Sequence, residues 1–296
     1  MKFAQSLIAA LVMCTASAAN AAALVFSAVG GNPVGIQGTV DAFRSALGTL
    51  NPNAQGSFGT GRREINWDGV PDAVTAPNNL PANFFNVNSP RGVVFSTPGS
   101  GFQVSANSGV APVEFGNINA TYPGLFQTFS AQRLFTAIGS NITDVNFFVP
   151  GSSTAASVSA FGAVFTDVDL ANITSLQFFD LSNTSVGTFN VANLLGSETL
   201  SFLGVRFDGG ERIGRVRITA GNAALGGNDG GGTDLVVMDD FIYAEPIAAA
   251  STVPEPATLL LVGPLLAALW MLRRRRLRFG QQEDSLRRLR KVTSRW

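Results

Sequence analysis

The chain has 296 residues, 46% of them apolar and 23 of them phenylalanine, which excludes a disordered polymer and provides for a hydrophobic core. It has no histidine, and its one cysteine is Cys14, so a Ser-His-Asp triad, a Cys-His pair and a histidine-held metal are excluded downstream. Over 24–255, nine arginines and no lysine face eighteen acids, a net charge of −9 that argues against nucleic acid as a partner, whereas 257–296 carries a net +8.

In chain order, the first element reads as a secretory signal peptide over 1–23. Lys2 gives the positive start, 7–13 the apolar stretch, and small residues follow. Ala19-Asn20-Ala21 and Ala21-Ala22-Ala23 both fit the A-x-A cleavage rule. A retained signal anchor is the alternative, disfavoured because the apolar run is short. Removal of this segment leaves an exported body over 24–250.

That body opens with a strand at 24–29. Val40, Phe43, Leu47 and Leu50 recur at helical spacing, which predicts a short helix over 39–47 ended by Gly48. The segment 51–90 is rich in Pro, Asn and Gly and reads as loop, with Trp67, Phe84 and Phe85 expected to pin it to the core.

Strand signals then dominate. Short ones fall at 93–96, 102–106, 112–115 and 125–129, and longer ones at 133–138, 144–149, 157–167, 175–180, 200–207, 213–219 and 235–243. Alternation at Val145, Phe147, Val149 and at Leu203, Val205, Phe207 marks buried faces. Connections this short leave no room for crossover helices, so the strands pair antiparallel. The expected fold is all-β: an antiparallel two-sheet jelly-roll-like sandwich. No internal repeat points to a propeller or solenoid.

The C-terminal end carries the most specific pattern. Val253-Pro254-Glu255-Pro256 precedes an apolar run at 257–272 and then Arg273, Arg274, Arg275 and Arg276. The run spans about 24 Å as a helix, enough for a short transmembrane helix. The arginines stop transfer and hold the following tail, 277–296, on the cytoplasmic side. In that tail Leu286, Leu289 and Val292 stand at helical spacing among Arg287, Arg288, Arg290 and Lys291, so a solvated tail and a basic amphipathic turn on the membrane both fit.

Segment 253–276 resembles the PEP-CTERM sorting module, also called the ice-binding protein C-terminal domain. The resemblance implies recognition by an exosortase in a Gram-negative bacterium that makes exopolysaccharide. It implies cleavage near Pro254-Glu255-Pro256, then release to the surface or matrix. The expected path runs from an inner-membrane-anchored precursor to the cell surface or extracellular matrix.

Within the body, 161–243 resembles extracellular lectin-like and carbohydrate-binding jelly rolls. The stretch Val236-Val237-Met238-Asp239-Asp240-Phe241 looks like the terminal strand of such modules. Residues 61–71 resemble a stretch of exported bacterial proteins with no assigned activity.

Two constellations carry the candidate chemistry. The first is acidic: Asp167, Asp169, Asp239 and Asp240, with Asp208, Asp229 and Asp234 nearby in the pattern. Such carboxylates at a sandwich rim suit a structural calcium ion, and pairing with arginine or backbone N–H groups is the other reading. Asp239 and Asp240 are adjacent on a strand, so they are expected on opposite faces. The loop 226–234 partly matches a calcium-binding nonapeptide, occurs once, and reads as a flexible hairpin loop.

The second constellation is Arg62, Arg63, Trp67 and Asp68, with Glu64 and Asn66. An aromatic face beside such polar groups suits a glycan, but a structural role, with Trp67 in the core and an Arg–Asp pair locking the loop, is the reading these residues favour. Glu64, Glu114, Glu198 and Glu211 are the glutamates open to glycoside hydrolysis, but no spacing pairs two of them. No enzyme activity and no organic cofactor are therefore expected. The functional expectation is a non-catalytic surface or matrix protein associated with exopolysaccharide. A purely structural secreted protein and a glycoside hydrolase are the alternatives.

Overall fold

The computed structural model describes residues 23–249 and Trp270. The chain divides into two compact units, Met1–Ala249 and Ala250–Trp296. Of the second, only Trp270 is described; it is helical and exposed. Among the described residues no helix is long and apolar enough to cross a membrane. The expected signal peptide except Ala23, the sorting motif, the arginine cluster and the expected span except Trp270 lie outside the described residues.

The first unit runs β1 (Ala23–Gly30), α1 (Pro33–Leu47), β2 (Arg62–Ile65), α2 (Phe84–Val87), β3 (Val93–Ser96), β4 (Gly101–Val104) and β5 (Phe135–Ile138). It continues with β6 (Ile142–Phe147), β7 (Ala156–Ser157), β8 (Ala160–Thr166), β9 (Ser175–Asp180) and β10 (Ser185–Asn190). It ends with β11 (Leu200–Phe207), β12 (Ile213–Thr219), β13 (Val237–Ala244) and β14 (Ile247–Ala248). The larger sheet has the order β1-β11-β8-β13-β5-β4, and β2 also pairs with β13. The second has the order β10-β9-β12-β6-β3, and β14 with β7 forms a short ribbon. The fold is thus mostly β, and every pairing between these strands is antiparallel.

The two sheets meet through aromatic side chains. Phe95 of β3 contacts Phe135 of β5 and Phe241 of β13, with centroids 4.9 Å and 6.2 Å apart. Phe147 of β6 meets Phe161 of β8 and Tyr243 of β13, and Phe178 of β9 meets Phe207 of β11. A smaller cluster joins Phe115, Tyr122, Phe126 and Leu134 of the 106–134 segment to Leu235 and Val237.

Helix α1 begins earlier than the periodicity of its apolar residues shows. Asn32 accepts a hydrogen bond from the Gly35 N–H at 3.2 Å, and Pro33 follows at the first helical position, a matched start signal. Ile36, Val40 and Phe43 form its buried stripe, and Gly48, at φ 90°, ends it as expected. Phe43 packs edge-on against Phe26 of β1 and Phe202 of β11. Its ring lies over Gly162 and Gly204, where an added Cβ would sit 2.9 Å and 2.8 Å from it. Two strand glycines therefore make the seat that docks the helix on the sheet.

Several expected elements differ. No strand forms at 112–115, because Glu114 and Phe115 adopt φ of 49° and 61° in a turn. None forms at 125–129 either; Phe126 closes a turn by donating its N–H to the Tyr122 carbonyl. Strands β2 and β10 are additions. Arg62–Ile65 is too charged to read as a strand, and Ser185–Asn190 is an exposed sheet edge with a bulge and weak alternation.

Candidate functional site

The pairing of β13 with β8 shifts register between Met238 and Phe241. The bulge breaks strand alternation, so Asp239 and Asp240 do not point to opposite faces as expected. Both reach Ser130, whose hydroxyl lies 2.7 Å from Asp240 Oδ1 and 3.3 Å from Asp239 Oδ1. The N–H groups of Phe129 and Ser130 donate to Asp239 Oδ2 at 2.6 Å and 3.2 Å. Burial, and after it the charge of Asp240, pushes Asp239 well above the usual carboxylate range. Burial raises Asp240 as well, against the opposing pull of the Ser130 hydrogen bond and Arg44.

Arg44 of α1 joins this pair to β2. Its Nη2 donates to Asp240 Oδ2 and to Glu64 Oε2, each at 3.0 Å, and Arg62 Nε donates to Glu64 Oε1 at 2.6 Å. Arg44, Glu64 and Asp240 line a cleft of about 390 Å³ together with Gln37, Asn51, Asn53, Asn66 and Ser130. Charged and amide groups in fixed positions suit hydrogen bonding to a polyhydroxylated ligand. Both oxygens of Glu64 and both of Asp240 already accept hydrogen bonds, so neither carboxylate is a free general base.

The expected glycan-contact set is separated by the fold. Trp67 is buried at 1% exposure and stacks on Phe135 with centroids 4.1 Å apart and planes within 2°. Its indole N–H donates to the Asp239 carbonyl at 3.0 Å. Its ring face is therefore not available to a sugar. Arg63 is fully buried and paired with Glu245. Asp68 accepts from the N–H groups of Gln132 and Arg133 at 2.6 Å and 3.2 Å and forms no pair with Arg62 or Arg63. Of the four, only Arg62, through Glu64, touches the polar cleft.

The acidic set also divides. Asp167, Asp169 and Asp229 each place a carboxylate oxygen within 4.8 Å of the others. Asp239 and Asp240 are not among them, so the expected group of Asp167, Asp169, Asp239 and Asp240 does not form one cluster. Asp167 follows β8 with φ 67° and is fully buried, and among the described residues neither of its carboxylate oxygens has a hydrogen-bond partner. Burial, then the charges of Asp229, Asp169 and Asp234, raises its pKa to about 8. Asp234 instead accepts from the N–H groups of Asp169 and Leu170 at 3.1 Å and 3.2 Å.

One carboxylate coupling was not legible in the spacing of glutamates. Burial, then the charge on Glu198, raises Glu114 to about 7, so two glutamates 84 positions apart in sequence feel each other. Arg44, Ser130 and Glu245 also carried no local signal, because their partners lie 196, 110 and 182 residues away. Asp229 did stand in a conspicuous glycine-rich loop.

Comparison with protein-family models, curated proteins and solved structures finds no match for the chain.

Proposed function

We propose that this is an exported, exosortase-sorted, non-catalytic protein of the cell surface or extracellular matrix, with a jelly-roll-like body that associates with exopolysaccharide. The observation that carries the reading is the pairing of termini: an A-x-A signal at one end, and Pro254-Glu255-Pro256, an apolar run and Arg273–Arg276 at the other. Together they direct 24–250 out of the cytoplasm, with an exosortase and the inner membrane as the first partners.

The cleft beside Arg44 and Glu64 is where we place polysaccharide contact. Asn53 and Asn66 offer paired amide donors and acceptors and Gln37 an amide acceptor, and its carboxylates are held by arginines, which supports binding without hydrolysis. The test is retention of the purified chain on exopolysaccharide extracted from producing cells. Gln37→Ala with Asn53→Ala, both on the cleft rim, is expected to weaken retention at least about tenfold, the loss of about 1.4 kcal/mol of contact, without lowering Tm. No retention of the unaltered chain would leave the purely structural alternative.

One observation favours glycoside hydrolysis. Burial, then the charge of Glu198, raises Glu114 to about 7, and a carboxylic acid with a raised pKa is what that reaction uses as its general acid. Release of reducing sugar by the purified chain, lost in Glu114→Gln, would replace the binding reading with this one.

A further inference from the structure

The acidic cluster plays no part in the function proposed above. Asp167 and Asp169 come from the end of β8, and Asp229 comes from the glycine-rich loop ahead of β13. Three carboxylate oxygens within 4.8 Å repel one another unless one of them takes up a proton or a cation lies among them. Among the described residues, no arginine pairs with any of the three.

A second observation points the same way. Asp167 is 0% exposed, and among the described residues both its oxygens lack a hydrogen-bond partner. A buried carboxylate without partners is costly, and it either takes up a proton or is coordinated by a cation. Asp169 and Asp229 commit only Oδ1 to backbone N–H groups, those of Gly196 and Leu235, each at 2.9 Å. Among the described residues their second oxygens accept no hydrogen bond, which leaves them to an ion. Asp234 uses both oxygens on the Asp169 and Leu170 N–H groups and so fixes Asp169 beside Asp167.

The donor set selects the ion. It holds only oxygen, and without histidine the body offers no imidazole for zinc or copper. Magnesium demands a near-ideal octahedron and keeps its water, whereas calcium accepts irregular carboxylates from loops. We propose that Asp167, Asp169 and Asp229 bind a calcium ion that ties the loop 226–234 to the end of β8. Gly230, Gly231 and Gly232 all have positive φ, so this loop has much freedom for an ion to restrain.

The test is to strip the purified chain with chelator and titrate it with calcium, magnesium or zinc, following heat and thermal melting. One calcium site per chain is expected, with Tm rising about 5–10 °C once calcium exceeds its Kd a hundredfold. Asp167→Asn abolishes that shift. Asp229→Asn, altered at a partly exposed loop position, keeps the fold and weakens calcium at least tenfold, while Asp208→Asn on the surface leaves it unchanged. No heat and no Tm change at about 5 mM calcium would overturn the proposal. So would full binding by both Asp167→Asn and Asp229→Asn, and a magnesium response equal to that of calcium would overturn the choice of ion. None of these readouts depends on polysaccharide binding.

Discussion

Arg63 and Glu245 form a two-pronged ion pair inside the protein, with Nε donating to Oε2 at 2.8 Å and Nη2 to Oε1 at 2.9 Å. The remaining N–H groups of Arg63 donate to the carbonyls of Pro90, Ala54 and Gly56. One guanidinium thus ties β2 to two loops and to the residue after β13. Replacing Arg63 by Met leaves Glu245 buried with only Asn51 and the Phe58 N–H. The expected loss is about 3–5 kcal/mol, read from urea unfolding. Adding Glu245→Leu to Arg63→Met is expected to restore part of it, because the stranded charge goes.

Trp67 offers a test of core against glycan contact. Trp67→Phe keeps a ring against Phe135 and removes the N–H that meets the Asp239 carbonyl. A loss of about 1–3 kcal/mol in stability is expected, with polysaccharide retention unchanged. Lost retention at an unchanged Tm would put the indole in contact with sugar instead.

The seat of α1 is equally specific. Gly204→Ala brings a methyl into the Phe43 ring and is expected to cost about 1–3 kcal/mol. Phe43→Leu in the same chain should return part of that loss if the clash is its cause. Equal loss in the single and double variants in thermal melts would assign the cost to the backbone.

Glu114 makes stability depend on pH. Its folded pKa is raised from 4.5 to about 7, so the folded state holds the proton more tightly than the unfolded chain. Its contribution is complete below about 4.5, declines as pH rises toward 7, and is gone above. Glu114→Gln removes the charge and is expected to raise Tm at pH 8 by about 2–4 °C, the modest size set by partial exposure, and by less at pH 4. A larger gain at pH 4 than at pH 8 would reverse this assignment.

The strands whose apolar residues alternate or run continuously were legible in sequence. Residues 175–180, 200–207 and 213–219 form β9, β11 and β12 at those bounds. Elements governed by partners elsewhere were not. Arg62–Ile65 is a strand because β13 lies beside it and Glu245 neutralises Arg63, and neither fact is local. The same limit applied to the sites. Asp167, Asp169 and Asp229 read as acidic, but only the fold brings them together. Asp239 and Asp240 were separated by a rule of alternation that a bulge suspends. Trp67 offered two roles, and burial against Phe135 leaves it to the core.

The most direct test of the central claim is terminal sequencing and mass measurement of the protein recovered from cytosolic, membrane and extracellular fractions. The account expects a mature chain beginning at about residue 22–24, cut near Pro254-Glu255-Pro256, and found at the surface or in the matrix. Full-length chain, still starting at Met1 and ending at Trp296, recovered from the cytosol would contradict it.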